Sequence, residues 1–242
     1  MHHLQISETI SEIWRVDVGK GSGGDRQLLS APVVVNGTVY AVDVNFIVSA
    51  YASTDGRRLW RFDPKVPRED REAFGGGIAY DGGRIYLSTG FAMVFAINAA
   101  DGEEVWQQNA SGPIRAAPTV TGGRLYVITV GNEITAYNST NGNKLWSHSG
   151  FAEAAGLLGG ASPAVSGGTV IVPYSSGELY ALRVENGRVI WFDNLAALRR
   201  LDQVSSLMDI RGRPVIDRGL VFAISHSGRM VAIDQRTGGR VW

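Results

Sequence analysis

The sequence predicts an all-β protein, a β-propeller of four-stranded antiparallel blades with five complete repeats and one leading strand. Three observations carry this expectation. Gly56, Gly102, Gly142, Gly187 and Gly238 are each followed four residues later by a tryptophan (Trp60, Trp106, Trp146, Trp191 and Trp242) and preceded six residues earlier by an alanine (Ala50, Ala96, Ala136, Ala181 and Ala232). Counted from Trp14, successive tryptophans stand 46, 46, 40, 45 and 51 residues apart, the period of a four-stranded propeller blade. The runs between them, such as VYAVD, IYLST and LYVIT, are β-branched and aromatic. Such residues suit a pleated surface, whereas a helical solenoid would repeat apolar residues three and four apart.

Taken in order, EIWRVDVG at 12–19 reads as a lone outer strand ending a blade whose other strands are elsewhere. A leading strand of this kind commonly closes a propeller ring. The five units that follow span approximately 30–64, 75–110, 115–150, 159–194 and 211–242, each with four apolar runs parted by turn residues. Asn36-Gly37, Asp81-Gly82, Asp55-Gly56, Asp101-Gly102, Asn141-Gly142 and Asn186-Gly187 are expected to supply the positive backbone angles of tight hairpins. A blade must bury both faces of its sheet. Trp14, Trp60, Trp106, Trp146, Trp191 and Trp242, with the five alanines leaving room, are therefore expected to pack one blade on the next. A closed ring of five and an arc of a larger ring both fit this pattern.

The totals narrow the function. With 242 residues and 44% hydrophobic content the chain has a globular core, and no run reaches the ~20 apolar residues of a membrane-spanning helix. It reads as soluble. Lysine plus arginine and aspartate plus glutamate both number 23, so no overall field recruits nucleic acid. Without cysteine there is no disulfide, thiolate metal site or cysteine nucleophile. The start, MHHLQISETISEIW, has no apolar run of a secretory leader.

The unit A-x-x-x-x-[TDN]-G-x-x-x-W, seen as AYASTDGRRLW, AINAADGEEVW, AYNSTNGNKLW, ALRVENGRVIW and AIDQRTGGRVW, resembles the repeat of the pyrroloquinoline-quinone-like β-propeller superfamily. Within it, the chain is most similar to the BamB family of outer-membrane protein assembly lipoproteins. That resemblance implies an eight-bladed ring without catalytic activity at the periplasmic face of the outer membrane. It also implies binding to the periplasmic domains of BamA, and membrane attachment only through a lipid anchor that this chain lacks. Five units of eight would leave apolar blade faces uncovered, so an open arc is expected to self-associate or to be completed by another chain.

Two segments carry the partner surface of that family onto this sequence: EAAGLLGGASP and, at the end of the long connection WFDNLAALRRLDQVSSLMDIRGRPVI, SSLMDIRGRP. By position, Leu157, Leu158, Asp209 and Arg211 are the partner-binding residues that the resemblance implies. This sequence departs from the family in having Arg211 where a second acidic residue stands, and in lacking a basic residue near Leu158. Such a double exchange fits either a compensated interface or a different partner. Read directly, Leu157 and Leu158 either plug the core edge or project from the face. Asp209 suits a turn or cap as well as a contact. Leu195, Leu198, Leu201, Val204 and Met208 stand three and four apart, the spacing of a short amphipathic helix.

The enzyme alternative is a quinoprotein dehydrogenase, which shares the repeat. It needs a calcium, a quinone and, in the alcohol dehydrogenases, a vicinal cysteine pair that this sequence lacks. No cofactor, metal or catalytic residue is expected. His2, His3, His148 and His226 show no paired zinc spacing, and the glycine runs lack the lysine of a phosphate loop. A third class, the ligand-binding sensor propeller of a membrane kinase, also shares the repeat.

Overall fold

The structure, a computed structural model, describes residues 11–21, 30–66, 75–114, 116–151, 160–195, 210, 212–226 and 228–242. Among them there is no helix. Nineteen strands form five antiparallel sheets, and the first comprises β1 (Val33–Val35), β2 (Thr38–Val42), β3 (Val48–Ala52) and β4 (Arg58–Phe62), in that spatial order. The second holds β5 (Gly77–Asp81), β6 (Arg84–Ser88), β7 (Met93–Asn98) and β8 (Glu104–Asn109), and the third β9 (Thr119–Thr121), β10 (Arg124–Ile128), β11 (Glu133–Asn138) and β12 (Lys144–Ser149). The fourth holds β13 (Ala164–Ser166), β14 (Thr169–Pro173), β15 (Glu178–Arg183) and β16 (Val189–Asn194), and the fifth β17 (Val215–Asp217), β18 (Leu220–Ile224) and β19 (Met230–Asp234).

The fifth sheet has three strands. Its fourth run lies alongside β19, with Val241 N–H donating to Ala232 O at 2.8 Å and Ala232 N–H to Trp242 O at 3.1 Å, but forms one isolated bridge, Ile233 with Arg240. Residues 12–19, expected as a strand, form no ladder.

The first strands of successive blades lie side by side, β1 by β5, β5 by β9, β9 by β13 and β13 by β17, so the sheets fan out from a common inner edge. Four hydrophobic clusters fill the seams between neighbouring blades. Tyr40, Trp60, Ile85 and Phe95 join the first and second, and Tyr86, Trp106, Leu125 and Tyr137 the second and third. Tyr126, Trp146, Val172 and Tyr174 join the third and fourth, and Leu179, Trp191, Val221 and Ile233 the fourth and fifth.

Two kinds of turn crowd one face of the arc. Between first and second strands, Asn36-Gly37, Gly82-Gly83, Gly122-Gly123 and Arg218-Gly219 take paired positive φ, the geometry that matches strand twist. In the second blade the pair is Gly82-Gly83 rather than the expected Asp81-Gly82, because Asp81 is the last residue of β5.

Between third and fourth strands the turn is wider than a two-residue hairpin. Gly56, Gly102, Gly142 and Gly187 each donate N–H to the carbonyl four residues back, and the Asp or Asn before each glycine keeps negative φ. Its carboxylate or amide oxygen instead accepts the N–H two residues ahead: Arg57 on Asp55, Glu103 on Asp101, Asn143 on Asn141 and Arg188 on Asn186, at 2.9 to 3.0 Å. The loops between second and third strands and the described ends of the blade-to-blade connections lie on the opposite face, since each strand reverses the chain.

Candidate functional site

The seams show what the repeated residues do. Ala50, Ala96, Ala136 and Ala181, all fully buried, are the cross-strand partners of Trp60, Trp106, Trp146 and Trp191 inside the same blade, and a bulge follows each alanine. The small side chain and the bulge turn the neighbouring indole outward. Its ring then meets the wide-turn glycine of the next blade. A Cβ built on Gly102, Gly142, Gly187 or Gly238 would lie 2.5 to 2.9 Å from Trp60, Trp106, Trp146 or Trp191, respectively.

Each indole N–H donates to the carbonyl three residues before that glycine: Trp60 to Ala99, Trp106 to Ser139, Trp146 to Val184 and Trp191 to Gln235, at 2.8 to 3.0 Å. Trp14 repeats the arrangement against Gly56, donating to Ser53 O at 2.7 Å, although its segment forms no strand. Trp242, 60% exposed, meets no following glycine turn; it lies 6.3 Å from Phe222 of its own blade, while the four intermediate tryptophans are 8% exposed. Ala232, fully buried, keeps its place beside Trp242.

Two residues beyond each tryptophan the seams differ in chemistry. Phe62 packs edge-on against Phe95 at 5.7 Å, and Asp193 pairs with Arg240 through two hydrogen bonds of 2.7 and 2.8 Å. Gln108 occupies the place in the second blade, and His148 in the third. His148 Nδ1 lies 3.0 Å from Tyr174 Oη, which donates to the His148 carbonyl, and its ring lies 4.7 Å from Tyr180. Burial pushes the His148 imidazole below its usual value, and the Glu178 carboxylate opposes that shift in part. Burial raises the Tyr174 and Tyr180 phenols as well.

The connections leave the blades on the opposite face. Leu195, the residue after β16, and Ile210 are both buried in the cluster between the fourth and fifth blades, so the long connection is rooted at both ends in one core. At the third blade's exit, Gly150 N–H donates to Asn132 O at 2.8 Å and Phe151 N–H to Glu178 Oε2 at 2.8 Å. Further on, Ser162 Oγ donates to Ala117 O and Thr119 Oγ1 to Pro163 O, both at 2.7 Å, tying the incoming chain to the third blade.

Leu157, Leu158, Asp209 and Arg211 lie outside the described residues, as does most of the run expected as a helix. Sequence reasoning missed Asn132 and Glu178. For Asn132 the available signal was a polar residue where equivalent blade positions carry Phe46, Ala92, Gly177 and Gly228; Glu178 gave none, since Glu133 and Arg229 stand at its equivalent positions. Among the described residues no cluster of three or more His, Asp or Glu is placed to hold a metal ion.

An arc of four-stranded blades whose tryptophans lock onto the next blade's glycine turn defines a β-propeller of the quinoprotein-like repeat class. The chain belongs to the family described as outer membrane protein assembly factor BamB, whose model it matches over residues 6–70 and 44–242. It is 33% identical over 238 residues to outer membrane protein assembly factor BamB of Salmonella typhimurium, a match covering 97% of this chain and 60% of that protein. The crystal structure of BamB from Moraxella catarrhalis has the same fold, with a TM-score of 0.78 at 22% identity over 97% of this chain and 66% of that one. A quinohemoprotein alcohol dehydrogenase of Comamonas testosteroni is 30% identical over 101 residues, 40% of this chain and 14% of the enzyme. The chain thus spans about 60% of the length of the BamB relative from Salmonella.

Proposed function

We propose that the chain is a non-enzymatic scaffold at the periplasmic face of the bacterial outer membrane, within the machinery that assembles β-barrel proteins there. In this reading it binds the periplasmic domains of BamA through two blade-to-blade connections, with Leu157 and Leu158 on one and Asp209 and Arg211 on the other. A lipid anchor outside this chain holds the protein at the membrane. The observation that carries the reading is the likeness to BamB along 97% of the chain, against 40% for the dehydrogenase.

The geometry supports it in a second way. Both connections leave adjacent blades on one face, and the residues that bracket them are anchored, Phe151 by its backbone and Leu195 with Ile210 by burial. Firm roots lower the ordering cost that a docking loop meets on binding.

The test is titration calorimetry with a purified fragment of the BamA periplasmic domains. Binding is expected for the wild-type chain, with a loss of at least roughly tenfold in Leu157→Ala/Leu158→Ala/Asp209→Lys, as befits an anchor cluster. Unchanged affinity in that variant removes the proposed surface. Binding of pyrroloquinoline quinone with calcium, in place of the BamA fragment, would favour the dehydrogenase reading instead.

A further inference from the structure

The seam between the third and fourth blades contains a polar network centred on two buried residues, Asn132 and Glu178, 2% and 1% exposed. Glu178 begins β15. Its Oε2 accepts Phe151 N–H at 2.8 Å and the Ser176 hydroxyl at 2.7 Å, and its Oε1 accepts the Tyr180 hydroxyl at 3.0 Å. A carboxylate this deep requires such donors, and bonds to an ionised acceptor are the stronger kind.

Asn132 sits in the loop before β11 with φ at 57°, the left-handed region. Its amide donates through Nδ2 to Phe151 O at 2.9 Å, while its Oδ1 accepts both the backbone N–H and the hydroxyl of Ser175 in the fourth blade, at 3.1 and 2.9 Å. Its own carbonyl accepts Gly150 N–H.

Three successive backbone groups, Gly150 N–H, Phe151 N–H and Phe151 C=O, are thus held from two different blades. There is no slack beside them: a Cβ on Gly150 would lie 2.5 Å from the Tyr174 ring and 2.9 Å from Glu178 Oε2. The Phe151 side chain, by contrast, is 72% exposed. Ring burial therefore does not explain why this peptide is fixed.

The exits of the second and fourth blades share the first of these bonds, Ala110 N–H to Ala92 O at 2.7 Å and Leu195 N–H to Gly177 O at 2.8 Å. At the second blade's exit Glu133, which stands where Glu178 does, hydrogen-bonds the Ser111 side chain instead of a peptide. The clamp on Phe151 consists of what Asn132 and Glu178 add.

We propose that Asn132 and Glu178 are positioning residues for partner binding: by holding Gly150 and Phe151 they fix the direction in which the chain leaves the third blade. The role rests on the functional reading above. It explains why two polar side chains are buried in a seam where the first two blades carry Phe46 with Ile47 and Ala92 with Met93. A buried network costs desolvation that apolar residues avoid, and what it gains is a single geometry.

Two variants borrowed from equivalent blade positions test it, Glu178→Met after Met93 and Asn132→Gly after Gly177. Asn132→Gly also suits the left-handed backbone. Hydrogen exchange of the Phe151 amide is measured on each free chain, and affinity for the BamA periplasmic fragment at a temperature where circular dichroism shows all variants folded. Faster Phe151 exchange in Glu178→Met, with roughly tenfold weaker binding in both variants, is expected from lost preorganisation.

Unchanged Phe151 exchange in Glu178→Met overturns the clamp. Faster exchange with wild-type affinity shows that the clamp only stabilises the seam, and overturns the positioning role. If Leu157→Ala/Leu158→Ala/Asp209→Lys binds as wild type while the clamp variants bind weakly, the partner surface has been misplaced but the clamp acts on another one. If the wild-type chain does not bind, the functional reading and the positioning role fall together, and the exchange data alone still decide whether the clamp exists.

Discussion

The indole of Trp146 closes on Gly187 of the next blade, its N–H bonded 2.9 Å to the Val184 carbonyl, and a Cβ on that glycine would lie 2.5 Å from the ring. The contact recurs at every described seam with the same offsets, so one residue pair defines the blade interface. The glycine is required twice, once by φ of 70° and once by the ring.

Gly187→Ala is therefore expected to lower stability by about 2 to 4 kcal/mol, combining left-handed strain with overpacking. Gly82→Ala is the control. Gly82 has φ of 54° and nothing within 4 Å of a built Cβ, so only strain of about 1 kcal/mol applies. Urea denaturation of both variants measures the difference, and equal losses would mean that the ring contact contributes nothing.

Trp106→Ala should cost about 3 to 5 kcal/mol through lost burial and the cavity left behind. Trp242→Ala should cost under about 1 kcal/mol, because a side chain already largely in water has little burial to lose. Denaturation midpoints of the two variants test the contrast. In this chain the uncovered face around Trp242, with Val241 and Met230 also exposed, favours self-association, which light scattering should detect and Trp242→Arg reduce.

The period and the tryptophans were legible because a radial repeat must place the same large ring at each interface. Their exact partners were not. Ala50 and Trp60 are ten residues apart in the sequence, and only the ladder shows that they face each other within one blade while Gly102 receives the ring. The glycines were read as hairpin residues since Asp-Gly and Asn-Gly usually are. Here the acidic or amide side chain caps the turn and the glycine faces a tryptophan of the preceding blade. Asn132 and Glu178 were invisible for a different reason: Asn132 breaks the repeat once, and a period highlights what recurs, while Glu133 and Arg229 are charged at the position of Glu178, so only its burial sets Glu178 apart. The likeness to BamB could point to Leu157, Leu158, Asp209 and Arg211 only by position, since none of the repeat's own physics reaches the connections.

Asp193 and Arg240 join the fourth blade to the fifth by a bidentate pair, Nε to Oδ2 and Nη2 to Oδ1, and Arg240 also donates to Asn194 O at 2.8 Å. Those hydrogen bonds hold the guanidinium pKa above its ordinary value. With Arg240 partly solvated, a double-mutant cycle with Asp193→Asn and Arg240→Gln should give a coupling of about 1 kcal/mol or less. The coupling should shrink further in 1 M salt. A coupling of several kcal/mol would mean that the pair is far better shielded than its exposure implies.

The seam between the third and fourth blades should weaken in acid. Burial holds the His148 imidazole below its usual value, so between its folded value and about 6.5 the unfolded chain binds more protons than the folded one. Stability from this residue is present above about pH 6.5 and is lost as pH falls through the folded value. Around the ring stand Tyr174, the residue after β14, and Glu178 and Tyr180 from β15, with Glu133 and Lys144 on its own sheet. The Glu178 charge favours the imidazolium and so narrows the window.

Glu133 acts in the same direction at lower pH. Burial raises its pKa, but hydrogen bonds from Ser111, Ser147 and Lys144, with the Lys144 charge, outweigh burial and leave it below the usual carboxylate value. Its contribution is therefore complete above the usual carboxylate range and is lost only as pH falls through its folded value. The two windows separate the residues. In denaturation series from about pH 7.5 to about 3, His148→Gln should flatten the upper part of the stability curve and leave the loss in the carboxylate range intact, whereas an unchanged slope would mean that the imidazole titrates as it does in water.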